Sequence, residues 1–265
     1  MPLTDLHKRT IQAIVNVFET GTPVGDYRCI SILPGDPGHL TYGRSQASLA
    51  SGNLARLVRG FCAQATSPAS AALRPYLPRL EACDVALDSD SALHALLRAA
   101  AAEPAMQRAQ DALFDRACWR PALRAAQSLN IETPLGVAVI YDSFVHGAWL
   151  RIRNATNARV GSPATGATLA MAPIGERGWI AAYIATRREW LARHANPLLR
   201  SATYRMDTFA ALLEAGNWNL ALPFEAHGAL IDQGAIAGHD NHPNSSASAG
   251  GQDAGLPDTM DTRPS

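Results

Sequence analysis

The chain has 265 residues, 47% of them hydrophobic and 17% charged, which suits one substantial domain or two small lobes and excludes global disorder. Lys+Arg and Asp+Glu both number 23, so there is no cationic excess of the kind a broad nucleic-acid footprint needs. The longest nearly uncharged run, Thr133 to Tyr141, is far too short to cross a bilayer, so no membrane insertion is expected. The start of the chain, Met1 to Thr10, is polar and reads as carrying no signal peptide. Cys29, Cys62, Cys83 and Cys118 are widely spaced without a C-x-x-C, so buried free thiols are expected, with no metal site and no cofactor.

Ile11, Ile14, Val15 and Phe18 recur at helical spacing, which predicts a helix over Asp5 to Thr20 closed by Gly21 and Pro23. Glu19 then falls in the last turn, where the negative end of the helix dipole disfavours a charged carboxylate. A carboxyl group biased toward its protonated form is suited to general acid work. Tyr27 to Leu33 alternates and is rich in β-formers; P-G-D-P-G follows at Pro34 to Gly38, and then H-L-T-Y-G. Strand, turn, strand is the expected arrangement, with Asp36 at the turn. One carboxylate at a helix end and a second on a loop able to fold over it are the minimum equipment for cleaving a glycosidic bond. Asp26, seven residues after Glu19, stands as an alternative to Asp36.

A helix is expected from Ser45 onward, with Leu54, Leu57, Val58 and Phe61 on one face. Pro68, Pro75 and Pro78 divide the next stretch into short pieces. Helices are predicted over Ser89 to Ala102, over Pro104 to Trp119, and after Pro121. Thr133-Pro134 is an N-cap followed by a proline at the first helical position. The run after it is apolar nearly all round, which predicts a buried central helix carrying Asp142 and His146. A buried Asp142 needs a partner, and Arg187, on the inward stripe of a helix over Glu176 to Ala195, is a candidate. Asn154 to Gly175 reads as a long loop and Met206 to Ala215 as a helix closed by Gly216. Residues 1–234 are taken as the folded domain. Residues 235–265, which include H-D-N-H, are taken as a flexible polar tail.

Several blocks, in this order, resemble the chitosanase family of glycoside hydrolases, within the lysozyme-like superfamily, over roughly Leu6 to His227. They are the first helix with its terminal Glu, and a G-D-x-x-G-x-x-T pattern met here by Gly35, Asp36, Gly38 (one place early) and Thr41. S-G-N-L-A-R-L-V, F-D-R-A-C-W-R-P-A, I-Y-D-S-F-V-H-G (one residue short of the family block), Y-R-M-D-T and L-L-E-A-G-N-W-N-L-A-L-P follow. The resemblance implies a mainly α fold with a small β-hairpin, two helical lobes around a central buried helix, and a substrate cleft between them. It implies Glu19 as general acid, Asp36 as general base, and Thr41 as a holder of the attacking water in an inverting reaction. It further implies Asp142, Arg187 and Arg205 as a buried bracing network, and Asn53, Tyr42, His146 and Tyr27 as substrate contacts.

Two departures bear on the substrate. Asn53 stands where the family has an aspartate for the glucosamine ammonium, and D-P-G replaces its D-G-R; Arg44, Arg56 and Arg59 lie nearby. A cleft for a polycation should be acidic, so the expected substrate is an N-acetylated, anionic polymer, the glycan of peptidoglycan. The alternatives are a chitosanase acting on chitosan and an inactive wall-binding module on the same scaffold. Action on a cell wall would place the protein in the periplasm or outside the cell, reached by a secretion apparatus or by lysis, with an immunity protein as a further expected partner.

Overall fold

The computed structural model describes residues 3–44, 46–161 and 174–237. The chain divides into two compact units, one of Val15–Arg120 and one of Met1–Ile14 with Pro121–Ser265. Helices dominate both, and no helix among the described residues is long and apolar enough to cross a membrane.

Helix α1 spans Asp5–Thr20, as its apolar spacing predicts, and the division between the units falls inside it, after Ile14. Gly21 adopts φ +79° and its N–H bonds the Val17 carbonyl at 2.9 Å, which ends the helix in a left-handed cap. Three two-residue strands follow: β1 (Ile30–Ser31), β2 (Thr41–Tyr42) and β3 (Ala47–Ser48), antiparallel in that order. Ile30 pairs with Tyr42, and Thr41 pairs with both Ser31 and Ser48. The expected hairpin is therefore present, with far shorter strands than the β-rich run from Tyr27 suggests, and with a third strand where a helix was expected. The helix α2 begins only at Asn53 and ends at Gln64.

The rest of this unit is a set of short helices: α3 (Pro68–Leu73), α4 (Leu77–Glu81), a 3-10 turn at Val85–Ser89, α5 (Ser91–Ala100) and α6 (Pro104–Phe114). A π-turn at Asp115–Trp119 then leads into α7 (Arg120–Ser128), so the predicted single helix over Pro104 to Trp119 is interrupted. Leu57, Phe61, Leu80, Leu93, Leu97 and Met106 form the heart of one apolar cluster. Burying each such side chain stabilises by roughly 1.5–3 kcal/mol, which holds the small sheet against the helices.

In the other unit, α8 (Pro134–His146) starts at Thr133, whose side chain accepts the Gly136 N–H. Ten of its residues from Pro134 to Ser143 are buried, as an all-round apolar sequence requires. Helices α9 (Trp149–Val160), α10 (Gly175–Ala192), α11 (Pro197–Arg200) and α12 (Tyr204–Glu214) follow, then a hairpin of β4 (Phe224–Ala226) and β5 (Ala229–Ile231), and α13 (Gln233–Ala237). The presence of α9 corrects the expected loop over its first part; 162–173 lie outside the described residues. The polar residues of α9 are used inward: Thr156 donates to the Ile152 carbonyl at 2.8 Å, and Asn157 Oδ1 accepts the Trp179 indole N–H at 2.9 Å. Trp179 stacks on Tyr183 with ring centroids 5.2 Å apart. Helix α13 spans the expected boundary at residue 234, and 238–265, including H-D-N-H, lie outside the described residues.

Candidate active site

Glu19 is the penultimate residue of α1 and is half-buried. Its charge is felt by Cys118, whose thiol is pushed up to about 12, first by burial and then by Glu19. Cys29 is also pushed up by burial, against a hydrogen bond with Gln46 that pulls it down; Asp26 and Glu19 add to the upward push and Arg98 opposes it. Cys62 and Cys118 are buried as expected, whereas Cys29 and Cys83 are only half-buried.

Asp36 sits in the loop between β1 and β2 and is half-buried. Gly38 N–H donates to its Oδ1 at 2.9 Å, and a Cβ at Gly38 would lie 3.2 Å from that same oxygen, so the missing side chain leaves room for the carboxylate to fold back. Asp36 Oδ2 has no hydrogen bond among the described residues. Together with Leu33, Pro34, His39 and Asp88 the carboxylate lines a groove of about 450 Å³. His39 holds φ +56°. Asp88 reaches the loop twice, Oδ1 accepting the Leu40 N–H and Oδ2 facing His39 Nδ1, both at 2.8 Å. Asp26, by contrast, is exposed, and among the described residues its carboxylate accepts only the Arg28 N–H, at 2.8 Å.

Thr41 is 7% exposed, and its hydroxyl lies against the Ser31 carbonyl, 3.1 Å away, and against Gln46 Oε1. Its neighbour Tyr42, expected as a substrate contact, is fully buried and donates to the Leu97 carbonyl at 2.7 Å. Tyr27 is similar: it is 8% exposed, and its hydroxyl is held between Asp111, at 3.1 Å, and Arg44 Nη1, at 3.0 Å. This cluster permits no side chain at Gly25, where φ is +75° and a Cβ would stand 2.9 Å from Arg44 Cβ. Asn53 opens α2 half-exposed, and its Oδ1 accepts from Arg56 Nη1 at 3.4 Å.

Asp142, Arg187, Arg205 and His146 all belong to the other unit. Arg205 Nη1 donates to Asp142 Oδ1 at 2.8 Å, and Arg187 Nη2 lies 3.7 Å from Asp142 Oδ2. Arg187 also reaches His146 Nδ1, at 3.1 Å, and the Gly147 carbonyl, at 2.9 Å. Asp142 and Arg187 are both fully buried and Arg205 is 4% exposed, so the three form a buried ionic group, with His146 drawn into it. Among the described residues no group of three or more His, Cys, Asp or Glu is placed to hold a metal ion. Asp88, Gln46 and Asp111 were not singled out in the sequence. Each is distant in sequence from its partners or lies in a turn, and no periodic pattern marks it.

The family model "Glycosyl hydrolase family 46" matches residues 13–224, which include Glu19, Asp36 and Thr41. A curated relative, the chitosanase of Bacillus subtilis (strain 168), is 24% identical over 232 residues, covering 82% of this chain and 80% of its own. The fold is similar to that of the GH46 chitosanase of Gynuella sunshinyii in complex with chitotetraose, with TM-score 0.76, 23% identity, and 86% and 98% of the two chains covered. It is also similar to a mutant chitosanase of Bacillus subtilis MY002 complexed with 6 GlcN, with TM-score 0.74, 21% identity, and again 86% and 98% covered. With 212 of its residues inside the family match, from 13 to 224, this mainly helical chain with its small antiparallel sheet belongs to glycosyl hydrolase family 46, and it is a glycoside hydrolase.

Proposed function

We propose that the protein cleaves the β-1,4 bonds of chitosan by an inverting acid/base reaction. Glu19 donates its proton to the glycosidic oxygen as the bond to the anomeric carbon breaks. Asp36 takes a proton from the water that attacks the opposite face of the sugar, and Thr41 holds that water. The observation that carries this reading is the state of Asp36: one oxygen accepts the Gly38 N–H, and the other accepts no hydrogen bond among the described residues, which leaves it for a water. An inverting reaction needs the carboxyl groups about 6.5–9.5 Å apart, with water between them.

For the substrate, support comes from the relatives, which are named chitosanases, one of them bound to chitotetraose and another to 6 GlcN. They favour chitosan over the peptidoglycan expected from Asn53 and from the balanced charge. Asn53 is neutral and its Oδ1 already meets Arg56 Nη1, so a charged grip on an ammonium group has to come from acidic residues.

The test is release of reducing ends by wild-type and Glu19→Gln protein from chitosan and from purified peptidoglycan in parallel. Release from chitosan, reduced at least about 10³-fold in the variant and giving the inverted anomer by NMR, is the expected result. Release from peptidoglycan alone overturns the substrate, and release undiminished in Glu19→Gln overturns the acid.

A further inference from the structure

We propose that Gln46 is a positioning residue that orients the Thr41 hydroxyl for its work on the attacking water, an inference that rests on the reading of Thr41 given above. Gln46 lies at φ +55°, a left-handed conformation that a residue with a Cβ adopts only when its surroundings hold it there. Its backbone N–H and its Nε2 both donate to the Gly43 carbonyl, each at 3.0 Å. That double attachment settles which way the amide faces. Turned over, it would set its own carbonyl oxygen against that of Gly43 and leave two acceptors opposed.

With Nε2 committed to Gly43, Oε1 is the atom that meets Thr41 Oγ1. The other near neighbour of this hydroxyl is the Ser31 carbonyl, at 3.1 Å. Both partners are acceptors only, so the Thr41 proton must point at one of them. The lone pairs of Oγ1 are then left for a donor from outside the protein. A water lodged there would give one proton toward Thr41 and the other toward Asp36, and its own lone pair would be free for the anomeric carbon. Gln46, together with the Ser31 carbonyl, thus keeps Thr41 an acceptor toward the outside and reduces its freedom to turn and donate.

The left-handed backbone separates this role from a merely structural one. Gln46→Gly removes the amide and also relieves the conformation. Gln46→Asn keeps a residue that tolerates positive φ while drawing the amide back by one methylene. On chitosan, both variants are expected to lose kcat by about tenfold or more with KM changed less than about twofold, while the urea midpoint of Gln46→Gly stays level or rises. Thr41→Val should lose as much, and Thr41→Val/Gln46→Gly should be no slower than Thr41→Val alone, since a residue acting only through Thr41 has nothing left to orient.

Wild-type kcat in Gln46→Gly and Gln46→Asn, with Thr41→Val impaired, overturns the role of Gln46 and leaves Thr41 standing. A further loss in the double variant, or a kcat loss matched by a fallen urea midpoint in both single variants, also overturns it. Wild-type kcat in Thr41→Val overturns the reading of Thr41 and this inference with it. A wild type inactive on chitosan overturns the functional reading itself.

Discussion

His39 Nδ1 lies 2.8 Å from Asp88 Oδ2, and this pair, with the Leu40 N–H on the other oxygen of Asp88, anchors the end of the loop that carries Asp36 to the 3-10 turn at Val85–Ser89. Without it the loop would be fastened by its own turn bonds, Asp36 N–H to the Leu33 carbonyl at 3.0 Å and His39 N–H to the Asp36 carbonyl at 3.3 Å, and by the Ala50 N–H on the Gly38 carbonyl at 3.2 Å. The expected outcome for Asp88→Ala is a stability loss of only about 1 kcal/mol, since both partners are partly solvated. With Asp36 as the proposed base, the loss of kcat should be larger, roughly ten- to a hundredfold, because a loosened base is misplaced relative to its water. Urea titration and steady-state kinetics on the same preparation check this. A variant that loses stability and keeps kcat would show the anchor to be unconnected to the chemistry.

Much of the helical frame was readable because its signals are local. Ile11, Ile14, Val15 and Phe18 with Gly21 define α1, and Thr133-Pro134 with an apolar run defines α8. Helix α9 was missed because Asn154, Thr156 and Asn157 favour turns in isolation. Inside the fold Thr156 bonds back to its own helix and Asn157 satisfies Trp179, so tertiary partners override local preference. Strand β3 was missed because Ala47 and Ser48 carry little β-preference; the pairing with Thr41 and Tyr42 makes it a strand. Of the candidate site, Glu19 and Asp36 stood out through their places at a helix end and a turn. Asp88 and Gln46 have meaning only once His39 and Thr41 are set against them in space.

The Asp142 grouping should behave as a buried ionic knot. Asp142 is fully buried between two guanidinium groups, and its removal leaves Arg187 and Arg205 without their carboxylate. Breaking a buried pair from one side destabilises by about 3–5 kcal/mol, so Asp142→Ala should unfold at a much lower urea concentration or fail to accumulate. Asp142→Asn, which keeps the shape and one acceptor, should lose less. Equal midpoints for wild type and Asp142→Ala would contradict this account of the knot.

Alkaline stability follows from the buried thiol and phenols. Burial, helped by the charge of Glu19, raises the Cys118 thiol from 9.0 to about 12. The folded value lies above the unfolded one, so the contribution is fully present below pH 9.0 and is lost as pH rises from there toward 12. At one pH unit above the unfolded value the loss amounts to about 1.4 kcal/mol. Tyr27, Tyr42 and Tyr183, all pushed up from 10.0 by burial, steepen the fall beyond that point. Urea midpoints measured from pH 8 to 10 should therefore drop in wild type and drop less in Cys118→Ala. Parallel curves for the two would remove Cys118 as the cause.

The choice of base between Asp36 and Asp26 comes down to what surrounds each carboxylate. Both accept a backbone N–H from the residue two places on, Gly38 for Asp36 at 2.9 Å and Arg28 for Asp26 at 2.8 Å, so the local turn chemistry does not tell them apart. Asp36 is half-buried and lines a groove of about 450 Å³, whereas Asp26 is exposed. A carboxylate in free contact with solvent gains little by polarising one particular water, because that water exchanges with the bulk and is not aligned with the sugar. Asp36→Asn should accordingly lower kcat at least about 10²-fold, whereas Asp26→Asn should stay within about twofold of wild type on the same substrate. Steady-state rates of the two variants decide it: a large loss in Asp26→Asn with Asp36→Asn unaffected would move the base to Asp26.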